Sequence, residues 1–149
     1  MASGMYRCLR LRFGALAMLF AVPWAVLAAA AGQTPARTET TVRDGVYSAD
    51  QAKRGRTTYD AKCATCHDGG TMGPELAGDA FMAQHDNKSV RVFYNRIMET
   101  MPADDPGSLS EAEILDVIAY VLQMNRFPPG AADLASAAAL DAMKFVSAK

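Results

Sequence analysis

The residues Cys63-Ala64-Thr65-Cys66-His67 constrain this chain more than any other stretch. A Cys-x-x-Cys-His run is the attachment signature of a c-type haem. Two cysteines three positions apart lie on one face of a helical turn, so both sulfurs can reach the two vinyl groups on one porphyrin edge. The next residue, His67, then carries its ring under the iron as an axial ligand. The spacing therefore predicts one covalently held haem iron, with a domain built to enclose and tune it.

Three other uses of the same residues fit less well. A redox dithiol usually accompanies a βαβ pattern, and the chain has no alternating strands of that kind. A structural zinc wants four ligands. Beyond Cys63, Cys66 and His67 the sequence offers only His85 and no later cysteine. A disulfide across so short a ring is strained and stabilises little.

Residues 1–31 have the layout of a secretory signal peptide. Arg7, Arg10 and Arg12 form a basic start, residues 13–27 are apolar and uncharged, and Ala28 to Ala31 offer a cleavage site. The apolar run contains Pro23 and is shorter than the roughly 20 residues of a spanning helix. A membrane association is therefore expected only if the signal stays uncleaved. Export to the periplasm agrees with the cysteine inventory. Of three cysteines, Cys8 leaves with the signal, and the other two are committed to haem. No disulfide framework remains for the exported chain.

Without the three arginines of residues 1–31 the formal charge moves from −1 to −4. No basic stripe is present, which argues against nucleic acid as a partner. The remaining ~118 residues are expected to make one domain. Residues 32–46 are polar and aperiodic and read as a flexible leader. Residues 47–130 read as the folded domain, and residues 131–149 as an Ala-rich C-terminal extension that could be helix or arm.

The domain reads as all-α, with about three main helices and loops around the cofactor. Ser48 with Gln51 has the form of a capping box and starts a helix toward Lys62. Gly55 inside that helix costs roughly 1 kcal/mol relative to Ala, and is expected to allow close approach of another helix. Val90, Phe93, Tyr94, Ile97 and Met98 form an apolar stripe on a second helix over residues 87–99. A third opens at Ser110, with Glu113 completing a second box. Its apolar face is Ile114, Val117, Ile118, Val121 and Leu122, and Pro128-Pro129-Gly130 ends the helical stretch.

Six methionines follow the signal, and any of them could be core filler. Met101 stands apart because Pro102 follows it. A residue before proline is pushed out of the helical region, which turns Met101 from the stripe of its own helix. We therefore expect Met101 as the second axial ligand, ahead of Met98, Met72 and the imidazole of His85. A thioether opposite His67 would raise the reduction potential.

With these residues in hand, residues 47–130 resemble a class I cytochrome c, in particular the small monohaem bacterial cytochromes associated with periplasmic dehydrogenases. The matching stretches are Gln51-Ala52-Lys53-Arg54-Gly55 with Tyr59, the haem motif, Gly73-Pro74-Glu75-Leu76 with Gly78, and Thr100-Met101-Pro102. Pro106-Gly107-Ser108-Leu109-Ser110 and Ala119-Tyr120-Val121-Leu122 with Asn125 complete the set. One departure is that many relatives carry a tryptophan close to the place of His85. The resemblance implies a fold whose first and last helices cross, with Gly55 beside Tyr120. It implies Cys63 and Cys66 as the covalent haem anchors, His67 and Met101 as iron ligands, and the Pro74 carbonyl as acceptor for the His67 ring. It also implies a non-enzymatic single-electron carrier. Such a protein takes electrons from a dehydrogenase or quinol-oxidising complex and passes them to an oxidase or another cytochrome. A haem-based binder of small ligands is the alternative function.

Overall fold

The computed structural model describes residues 39–69 and 72–147. The expected signal segment 1–31 and residues 32–38 of the leader lie outside the described residues. In chain order the elements are β1 (Thr40–Thr41), α1 (Ala49–Lys62), α2 (Ala64–His67), α3 (Asp79–His85), α4 (Val90–Thr100) and α5 (Glu111–Met124). A 3-10 turn (Ala137–Ala142) and β2 (Met143–Lys144) close the sequence. The fold is all-α in class, with α1, α4 and α5 as its long helices. Among the described residues the one sheet is the parallel pair β1–β2, with Thr40 opposite Met143.

Local chemistry sets the helix starts. The Ser48 side chain accepts from the Gln51 amide and caps α1. The return half of that box is missing, because the buried side-chain amide of Gln51 is used elsewhere. It accepts from Leu134 N at 2.7 Å and donates to Leu134 O at 3.3 Å. At α5 both halves of the box form between Ser110 and Glu113. The Ser110 amide and hydroxyl hold the Glu113 carboxyl below its ordinary range.

The core lies between α1, α4 and α5. Ile114, Val117, Ile118, Val121 and Leu122 are all buried, and so are Leu115 and Ala119, which makes α5 the central helix. The helix pair α1–α5 is the most extensive contact between elements. Gly55 explains how close it is, since a Cβ there would stand 1.8 Å from Asp116 O. The partner of Gly55 is thus the Asp116–Val117 backbone, one turn before the expected Tyr120. Tyr120 instead packs edge-on against Tyr59, with ring centroids 5.2 Å apart. The two contacts are one helical turn apart along the same seam, as i, i+4 spacing requires. Arg54 reinforces the seam with bonds of 3.0 Å to both Asp116 oxygens and 2.7 Å to Asp133.

The ordered body extends past 47–130 at both ends. Val42, expected in the leader, is fully buried, and its amide donates to Lys144 O at 3.0 Å. Residues 131–147 cross the body as an irregular strap that buries Leu134, Leu140, Met143 and Phe145. Two other expectations shift. α4 begins at Val90 rather than near residue 87, because Ser89 is its N-cap. Met98 is 39% exposed and leaves the buried stripe of α4.

Gly55→Ala separates packing from propensity. Propensity alone would favour Ala by up to about 1 kcal/mol. The clash with the α5 backbone predicts a net loss of about 1–3 kcal/mol instead, read by denaturant titration of the intact protein.

Candidate functional site

Cys63 stands at the junction of α1 and α2, closing the first helix and preceding the second. The Cys66 and His67 amides both donate to Cys63 O, at 3.1 and 3.0 Å, so the five-residue motif is folded into one helical turn. Both cysteines are free thiols. Past the turn the chain folds back, and Gly73 N donates to Cys66 O at 3.0 Å. This return brings Pro74 under the imidazole, where His67 Nδ1 lies 2.7 Å from Pro74 O. A carbonyl can only accept, so Nδ1 carries the proton and Nε2 is left with its lone pair.

Gly73 is required by this arrangement. A Cβ there would lie 2.9 Å from His67 Cε1 and 3.0 Å from Nδ1. The loop bearing Pro74 is held from α5 by Asn125. Its side-chain amide donates to Leu76 O at 2.8 Å, and its oxygen accepts from Gly78 N at 3.0 Å. On the other side Tyr59 donates to Asp68, next to His67, at 2.8 Å. Burial first, then this bond, pushes the Tyr59 phenol well above its ordinary range. Asn125 and Tyr59 thus act through the His67 loop, whereas in the sequence they stood only within the stretches that carry the family resemblance.

Cys63, Cys66, His67, Pro74 and Met101 all line one cavity of about 780 Å³. Leu76, Val92, Phe93, Ile97, Leu109 and Val117 supply apolar wall, and His85, Lys88 and Arg96 also face it. Met101 ends α4 in an extended conformation, φ −126° and ψ 150°, as the following proline demands. Met98 and Met72 do not line the cavity, and Met72 is 67% exposed. His85 is half-buried against Phe81 and Phe93, with centroid separations of 4.3 and 5.2 Å.

The donor set suits an iron porphyrin. The volume lies in the range of about 300–1,000 Å³ typical of small-molecule and cofactor sites. The lining offers two thiols three residues apart, one imidazole of fixed tautomer and one thioether. The rival chemistries find less. Burial, ahead of the neighbouring Cys66, pushes the Cys63 thiol up to about 11, whereas a dithiol catalyst lowers its attacking thiol. Among the described residues no group of three or more His, Cys, Asp or Glu is placed to hold a bare metal ion.

Comparison with known proteins points the same way. Residues 50–121 match the family described as "Cytochrome C oxidase, cbb3-type, subunit III". A cytochrome c-555 of Chlorobaculum thiosulfatiphilum is 33% identical over 84 residues, covering 50% of this chain and 98% of that protein. The cytochrome c-555 of Chlorobaculum tepidum is 34% identical over 85 residues, covering 50% of this chain and 78% of its own length. No solved structure matches.

Gly73→Ala should push the His67 ring off Pro74 and lengthen the 2.7 Å bond. The His67 ring N–H proton, followed by NMR, is expected to move upfield and exchange faster with solvent. An unchanged resonance would show that the loop accommodates the methyl group.

Proposed function

Since the chain belongs to the class I c-type cytochromes, a family of haem-based electron carriers, we propose that it is a periplasmic monohaem carrier with His67 and Met101 as axial ligands. The observation that carries the reading is the convergence of both thiols, the imidazole and one extended methionine on a single cavity. When bound, the haem supplies a one-electron couple at its iron.

The protein residues do the rest. Cys63 and Cys66 would tether the ring through thioether bonds to its two vinyl substituents. Pro74 O holds the proton on His67 Nδ1, which directs the Nε2 lone pair to the metal and raises its basicity. Met101, beside the stiff Pro102, would offer the iron a soft neutral sulfur, which favours the ferrous state. The apolar wall excludes water, which also favours the less charged iron and raises the potential. A one-electron carrier needs no general acid, base or nucleophile, and the likeness to cytochromes c-555 fits a carrier rather than an enzyme. It would accept electrons from a dehydrogenase or quinol-oxidising complex and deliver them to an oxidase or another cytochrome. The N-terminal reading of residues 1–31 as an export signal supports the periplasm. Among the described residues no helix is long and apolar enough to cross a membrane.

Two measurements test the ligand set. The oxidised protein should show the weak long-wavelength band of sulfur bound to iron, lost in Met101→Ala and kept in Met98→Ala. The reverse pattern would refute Met101. The untreated ferrous protein at neutral pH should bind carbon monoxide poorly, because a firm sixth ligand blocks the site. Ready binding would favour the small-ligand binder instead.

A further inference from the structure

One segment ties together the starts of α1, α4 and α5. This is the C-terminal strap, residues 131–147, which lies beyond the stretch that matches the family. At α1, Ser48 Oγ and Arg54 donate to Asp133, and the Gln51 side chain holds both backbone groups of Leu134. At α5, Glu111 accepts from Ala137 N at 2.9 Å. At α4, the N-cap Ser89 donates from its hydroxyl to Leu140 O at 2.9 Å. Just before it, Asn87 N donates to Phe145 O at 2.9 Å and Phe145 N to Lys88 O at 3.0 Å. Ser147 N donates to Asp86 Oδ1 at 2.7 Å.

The apolar side chains follow the same course. Leu140 and Phe145 are fully buried. The Phe145 ring meets His85, Phe81 and Phe93 at 5.4, 5.7 and 6.1 Å, completing an aromatic box. Yet none of residues 131–147 lines the cavity. The strap grips α4 from behind the wall that Val92, Phe93, Arg96 and Ile97 present to it.

α4 is also the helix that ends in Met101. Its eleven residues make a rod about 16 Å long. The last turn holds to its end, with Met101 N bonded to Ile97 O at 3.0 Å. A tilt at Ser89 is therefore carried along the rod to Met101 rather than absorbed on the way. Contacts outside a ligand's own bond set its orientation and its hold on a metal.

We propose that the strap is a positioning brace for Met101. Through Ser89 and Phe145 it fixes the start of α4, and so the firmness with which Met101 keeps competing ligands from the sixth position of the haem iron. This role presupposes the carrier reading and its ligand set. Coupling of this kind is reciprocal, so release of Met101 loosens the strap where it meets α4. The other end of the strap stands apart, because the Ala137–Glu111 bond to α5 lies between Leu134 and the α4 contacts.

The test compares Phe145→Ala with Leu134→Ala in the haem-loaded protein. Both remove a buried side chain from the strap, and both should lower the midpoint of thermal unfolding. In Phe145→Ala the sulfur-to-iron band should vanish well below that midpoint, and the ferrous protein should bind carbon monoxide about tenfold more tightly than wild type. Phe145→Leu should restore both properties. In Leu134→Ala the band should persist until the protein unfolds. A band lost only with global unfolding in both variants overturns the brace and leaves the carrier reading standing. The wild type decides the matter where a variant fails to fold. Added imidazole displaces Met101 from the ferric iron, and the Asn87 and Phe145 amides should then exchange about tenfold faster with solvent, while Leu134 N keeps its rate. Equal exchange with and without imidazole overturns the brace. A loaded wild type without the sulfur band overturns the ligand set together with the brace, and a wild type that binds no tetrapyrrole overturns the carrier reading itself.

Discussion

Protein interiors are close-packed, with few voids larger than a water molecule. A cavity of about 780 Å³ lined by Ile97, Leu109 and Val117 is far larger than such voids and has the size of a cofactor site. The α1–α5 seam at Gly55, whose Val117 lines the cavity, and the strap across residues 86–89 brace its walls. The body is therefore organised around a guest. The short motif at the α1–α2 junction is the one place where the chain could hold such a guest by covalent bonds.

The supports of the site come from distant parts of the sequence. Pro74 meets His67 only because Gly73 has no side chain, and the loop stays there because Asn125, about fifty residues on, holds Leu76 and Gly78. Met101 is offered to the cavity by its position before a proline at the end of α4. Each contact is a single hydrogen bond or a backbone constraint. Together they fix the tautomer of His67 and the place of both His67 and Met101 on the cavity wall.

Much of this was legible in the sequence because its causes are local. Capping by Ser48 and Ser110, the stripe of α5 and the proline after Met101 are short-range effects. The failures were long-range. Gln51 looked like the second half of a capping box, but its amide is drawn away to Leu134, more than eighty residues later. α3 carries only Phe81 into the core, too little to show a period. The strap was opaque because Leu134, Leu140, Met143 and Phe145 sit on irregular chain, a 3-10 turn and a two-residue strand, where no periodicity marks the buried side. Val42 was invisible for the same reason, since its place depends on pairing with residues about a hundred positions away. His85 was weighed as a ligand or an edge residue, and its aromatic box required Phe145 to be seen.

A tetrapyrrole bonded to the chain itself would leave its mark on the mass of the protein. Mass analysis of the purified, processed protein tests it most directly. The account predicts the mass of one haem added to the peptide containing Cys63 and Cys66, with no free thiol left to alkylate. A peptide of unmodified mass, with both thiols open to alkylation, would contradict it.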